Sequence, residues 1–149
     1  MPAKINGEFY SHPLMYNLYG ININKRAIKT YKTAWIMEGE KSCIITDKWY
    51  GDNNLSVAAC GDKINKIQLM ILLSLGVKEV IICFDRMGET KVKEEEYFNK
   101  LYSLCKKYNN YCNFSFVFDR KHILPLKAAP VDTGKENFEK LLKERVIVQ

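Results

Sequence analysis

The sequence predicts an α/β protein: a four-stranded, mainly parallel sheet flanked by helices. Two observations carry that expectation. Short apolar runs alternate with longer segments of helical spacing, in the order β-α-β-α-β-α-β-α, which is the pattern of parallel strands joined by crossover helices. The run Val80-Ile81-Ile82-Cys83-Phe84 is β-branched and continuous, as expected for a strand buried on both faces. A chain of 149 residues that is 47% hydrophobic and 27% charged suits one globular domain. A chain of that size can bury roughly 70% of its unfolded surface.

The elements follow in order. Residues 1–20, rich in Tyr, Asn and Gly, read as an irregular lead-in segment ahead of a domain spanning 21–149. Asn22 or Asn24 is a candidate cap for a short basic helix running to Lys32, with Ala27, Ile28 and Tyr31 on its apolar side. Thr33–Met37 is a buried strand, and a helix from Glu40 to Tyr50 follows it. Leu55–Cys60 is a second strand stopped by Gly61. Ile64, Ile67, Gln68, Ile71, Leu72 and Leu75 then recur at helical spacing up to Gly76. After Val80–Phe84 come a long helix from Lys91 to Tyr108, a fourth strand at Phe114–Phe118, and an amphipathic helix from Gly134 to Glu144. Phe138, Leu141 and Leu142 of that last helix face inward.

Several classes of protein are excluded or disfavoured. No apolar run approaches the roughly 18 residues of a membrane span, so no membrane partner is expected. The N-terminal Met1–Glu8 lacks the apolar core of a signal peptide, and the chain reads as cytoplasmic. Five cysteines without a Cys-x-x-Cys pair argue against a disulfide framework or a structural zinc site. Cys43, Cys60 and Cys83 lie among apolar residues and read as small buried hydrophobes. The two His, His12 and His122, lie far apart and suggest no catalytic triad, and no Gly-x-x-x-x-Gly-Lys loop is present. The nine tyrosines and Trp35 could stack bases, but most are expected in the core or at its edge.

The chain carries a net charge of +6, unevenly spread. Residues 38–60 are acidic on balance, whereas residues 1–37 and 120–145 are basic. That distribution fits a metal site beside a polyanion-binding surface, although on charge alone solvated helix faces are the simpler reading.

In a parallel sheet, working residues collect at the C-terminal strand ends. Here those ends offer Glu38-Gly39, Cys60-Gly61-Asp62 and Asp85-Arg86. Glu38 and Asp85 each follow an apolar strand directly, so together they could hold a hard cation or act as general acid and base. Each could instead be a cap or turn carboxylate. Lys41, Lys63 and Arg86 could contact phosphate oxygens or pair with surface carboxylates. Gly39 and Gly61 permit tight turns or close phosphate approach.

Trp35-Ile36-Met37-Glu38-Gly39-Glu40-Lys41-Ser42 resembles the first motif of Toprim domains, the catalytic domain shared by bacterial primases, type IA and II topoisomerases and some nucleases. Val57–Gly61 resembles the family's second strand and glycine turn. Val80–Asp85 resembles the strand carrying its Asp-x-Asp motif. Pro130–Glu136 resembles the segment after the fourth strand in primase-like Toprim proteins of phages and Firmicutes. The resemblance runs from about Leu18 to Arg145.

It implies a Rossmann-like Toprim fold and a role in DNA replication, in a phage or mobile element. It also implies Mg²⁺ (or Mn²⁺) on Glu38 and Asp85, with Asp132 as a further acidic position, for nucleotidyl transfer. Gly39, Lys41, Gly61, Lys63 and Arg86 would meet nucleic acid or nucleotides. Other primase domains or a replicative helicase would be partners. The second Asp of the Asp-x-Asp pair falls on Met87, and two further acidic positions fall on Ser42 and Ala128. Those departures suit a non-catalytic domain that binds nucleic acid or a replication partner. A small Toprim nuclease is the third alternative.

Overall fold

Five strands form the central sheet of the computed structural model, which describes Ala3–Ile5, Glu8–Tyr10 and residues 17–149. The chain begins with an antiparallel pair, β1 (Ala3–Ile5) and β2 (Glu8–Tyr10), within the stretch expected to be irregular. The rest of that lead-in up to Tyr16, including His12, lies outside the described residues. Helix α1 (Ile21–Tyr31) leads into β3 (Thr33–Met37), followed by α2 (Glu40–Tyr50), β4 (Ser56–Ala58) and α3 (Lys66–Ser74). Then come β5 (Glu79–Cys83), α4 (Lys91–Tyr108), β6 (Asn113–Phe116), α5 (Lys135–Lys143) and β7 (Val146–Val148).

The strand order is β4-β3-β5-β6-β7. All neighbours are parallel except β6 and β7, which run antiparallel with Ser115 opposite Ile147. The expected mixed α/β sheet is therefore present with one more strand than the four anticipated. That extra strand is three residues long, too short to leave an alternation signal.

Period-two burial builds two cores. Ala34, Ile36, Val57, Val80, Ile82, Phe114 and Phe116 face α1, α3 and α4, against Ile28, Leu69, Leu72, Leu101 and Cys105. Trp35, Met37, Ile81 and Cys83 face α2 and α5, against Cys43, Phe138 and Leu141. Both faces are covered, so the strands read as continuous apolar runs. Trp35 belongs to the core, edge-on to Tyr50 and Phe138 at 5.1 and 5.2 Å between ring centres. A buried hydroxyl pair, Thr46 Oγ1 and Ser56 Oγ at 2.7 Å, pins α2 to β4.

Three local expectations are corrected. The N-cap of α1 is Gly20 with φ 84°, not Asn22 or Asn24, and Asn24 is instead buried and donates to the Ser56 carbonyl at 2.8 Å. Tyr31 lies out in solvent at 54% exposure, its hydroxyl donating to Asn53 Oδ1. Of the two neighbouring positions expected on the inward side of α3, Gln68 is buried and Ile67 is not. Gln68 closes a capping box with Asn65 and donates to the Asn17 carbonyl, which leaves Ile67 45% exposed.

Candidate functional site: a carboxyl pair at the strand tips

The parallel arrangement of β4, β3 and β5 puts their C-terminal ends side by side. Met37 pairs with Ala58 on one flank and with Cys83 on the other. The residues just past those ends line an open cleft of about 710 Å³: Tyr19, Glu38, Gly39, Glu40, Cys60, Gly61 and Asp85. Backbone lines its floor, with Gly61 N–H donating to the Glu38 carbonyl at 3.0 Å. Tyr19 reaches the cleft because it bridges antiparallel to Ala58 at the sheet edge.

Glu38 and Asp85 meet here. Asp85 is pushed up to about 7, first by burial, then by the adjacent Glu38 charge, by its hydrogen bond with the Glu38 carboxyl, and by Asp132. A second carboxyl within hydrogen-bonding reach favours the protonated, neutral form of Asp85. Behind them, the Tyr97 hydroxyl donates to the Asp85 carbonyl at 2.7 Å, fixing the end of β5 against α4. Burial and then the charges of Glu38, Asp85 and Asp62 push that phenol upward.

Asp132 acts on Asp85 electrostatically but is held back by its own turn. Its Oδ2 accepts from Ala129 N–H at 2.9 Å. Among the described residues, no group of three His, Cys, Asp or Glu side chains is gathered to hold a metal ion. The expected three-carboxylate set is thus a close pair with a more distant third charge. A two-carboxylate pair still suits Mg²⁺, which keeps several waters and needs only one or two protein oxygens beside substrate phosphates.

The glycines and cations distribute differently. A Cβ at Gly39 or Gly61 would meet nothing within 4 Å, so both keep the cleft floor open. Gly39 is also the N-cap of α2 and offers no capping side chain, leaving first-turn N–H groups at the cleft. Lys41 is exposed on the first turn of α2. Lys63 is exposed in the 61–65 loop, three residues ahead of the start of α3. Arg86 turns away from the cleft: its Nη1 donates to the Leu124 carbonyl at 2.7 Å.

Other acidic residues do not fill the missing positions. Asp62 pairs with Lys100 at 2.6 Å, and the Asp119 carboxylate accepts the N–H groups of Ile123 and Leu124. Met87, at the second Asp-x-Asp position, is 40% exposed and does not line the cleft. Cys60, expected to be buried, lines it instead, because it takes a left-handed turn with φ 58°. Burial and Glu40 push its thiol upward.

The fold is that of primase catalytic cores. Solved structures it resembles include a DNA primase domain from Pseudomonas aeruginosa, with TM-score 0.63, 18% identity, and coverage of 91% of this chain and 40% of that one. Another is the DnaG primase catalytic domain bound to ssDNA, with TM-score 0.61, 19% identity, and coverage of 97% and 42%. In sequence, the chain is 34% identical over 155 residues to the SPbeta prophage-derived uncharacterized protein YorJ of Bacillus subtilis (strain 168), covering 98% of this chain and 41% of YorJ. It therefore spans about two fifths of the length of these proteins. No protein-family model matches the chain. No helix among the described residues is long and apolar enough to cross a membrane.

Proposed function

We infer that this chain is the Toprim-type domain of a primase-like replication protein, acting on nucleotide or nucleic-acid phosphates. The observation that carries this reading is the Glu38–Asp85 pair at adjacent parallel strand tips, with Asp85 raised to about 7. Like charges are held together there at a cost in stability, which a divalent cation would offset. Glu38 and Asp85 would hold Mg²⁺ or Mn²⁺. When bound, the ion would supply neutralisation of phosphate charge for nucleotidyl transfer. The α2 N–H groups at Gly39, the open floor at Gly61, and Lys41 and Lys63 would receive the anion. Support comes from the primase-core fold and from the ssDNA-bound neighbour. At two fifths of its relatives' length, the chain would work with other primase domains or a replicative helicase.

The reading is tested by Mn²⁺ titration. Wild type should bind, and Asp85→Asn should lose at least about tenfold in affinity. Equal binding by both proteins would remove Asp85 from the site. Absence of binding to either, with nucleotide present or absent, would remove the metal-dependent reading.

Met87, and the lack of a three-carboxylate group among the described residues, favour a second reading, a nucleic-acid-binding domain without catalysis. It predicts DNA binding that falls steeply with salt and is indifferent to Glu38→Gln.

A further inference from the structure

We propose that Arg86 is a positioning residue: it holds the 120–132 loop so that Asp132 stays within electrostatic reach of the Glu38–Asp85 pair. This inference rests on the functional reading above for its consequence, and on geometry alone for its mechanics.

Arg86 immediately follows Asp85 and is bound to the loop at three points. Its N–H donates to the Ala128 carbonyl at 2.8 Å, and its carbonyl accepts from Lys127 N–H at 2.7 Å. Its guanidinium donates to the Leu124 carbonyl at 2.7 Å. The first two pair the backbone three residues past β5 with the loop, and the third reaches the loop through the side chain. Asp119, three residues past β6 and only 7% exposed, fastens the other end through Ile123 and Leu124 N–H. Leu124, Ala129 and Val131 pack into the α2–α5 face of the core. The loop then closes on Asp132, whose N–H donates to the Ala129 carbonyl while its Oδ2 accepts from Ala129 N–H. Asp132 is itself exposed, and its place is set by its buried neighbours Ala129 and Val131 together with the attachment between Arg86 and residues 124–128.

A carbonyl is a poor partner for a group whose task is to bind phosphate. The guanidinium's engagement with Leu124 separates this role from the phosphate contact that its place in sequence suggests. The two roles also predict opposite signs. Losing a cation beside a metal site, by charge alone, tightens cation binding. Losing the strut lets Asp132 drift, and cation binding weakens.

The experiment compares wild type, Arg86→Met, Asp132→Asn and the double variant. Hydrogen exchange is followed by NMR or mass spectrometry, and Mn²⁺ affinity is measured by titration of the metal alone. In Arg86→Met, amides of Ile123, Leu124, Lys127 and Ala129 should exchange at least about tenfold faster, while β3 and β5 amides stay protected. Mn²⁺ binding should weaken about tenfold in Arg86→Met. The double variant should be no weaker than the weaker single variant, because both substitutions remove one interaction. Unchanged loop exchange overturns the inference whatever the metal result. Tighter Mn²⁺ binding in Arg86→Met, or additive losses in the double variant, also overturns it. If wild type binds no Mn²⁺, the functional reading fails, and faster loop exchange alone still supports the strut.

Discussion

Asp85 and Glu38 are costly to place together, and the cost has a definite pH dependence. An unfolded aspartate titrates near 3.9. In the fold, burial and Glu38 raise Asp85 to about 7, so the folded state holds its proton more tightly than the unfolded state. Stability from this group is therefore greatest below about pH 4 and falls as pH rises toward 7, levelling above that. Asp85→Asn removes the penalty. In EDTA at pH 8 the variant should be more stable than wild type by on the order of 1 kcal/mol, allowing for solvent screening at a half-buried carboxyl. The difference should vanish near pH 4. Thermal melts across that range check it, and a variant less stable than wild type at pH 8 would contradict the strained-pair picture. Both carboxylates were legible in the sequence because each follows an apolar run directly. Arg86 was legible as a residue at the tip but not in its role, because its partner carbonyl lies 38 residues further on. Cys60 was misread because an apolar neighbourhood in sequence says nothing about a left-handed turn that swings the residue into a cleft.

At the scale of elements, the entry to α4 shows how tightly the site's neighbours are built. Gly88 has φ 99°, and a Cβ there would lie 2.6 Å from Glu94 Cα and 2.7 Å from Glu94 N. Neither the dihedral nor the contact admits a side chain, since the obstructing atoms are backbone. Gly88→Ala should cost roughly 2–4 kcal/mol, read as a lower urea midpoint with an unchanged slope. A loss under about 0.5 kcal/mol would mean the turn can rearrange. The bounds of α2 and α4 match those read from the sequence, because capping positions and Gly39 mark them. β7 escaped the sequence reading. It is held by a network rather than a pattern: Arg145 forks onto Glu79 at 2.9–3.2 Å and its Nε donates to Ser115 Oγ at 3.1 Å. That network joins the start of β5 to β6 and to the turn before β7, three places far apart in the chain.

For the whole molecule, the two cores share one sheet, and an aromatic cluster fills the α2–α5 face. Phe138 is fully buried and packs against Trp35, Trp49 and Tyr50 at 5.2–6.4 Å between ring centres. Phe138→Ala should destabilise by about 3–5 kcal/mol in equilibrium urea unfolding. A cost below about 1 kcal/mol would mean that α5 can collapse onto the cavity. The sequence by itself determined the α/β class, the buried parallel strands and the two carboxylates at their ends, since periodicity and the residue after a strand are local properties. The tertiary structure alone decided that Glu38 and Asp85 lie side by side while Asp132 stands apart. It also decided that Arg86 braces a loop instead of facing the cleft, and that a fifth strand closes the sheet. Each of those depends on distances between segments brought together only by packing, which local pattern does not encode.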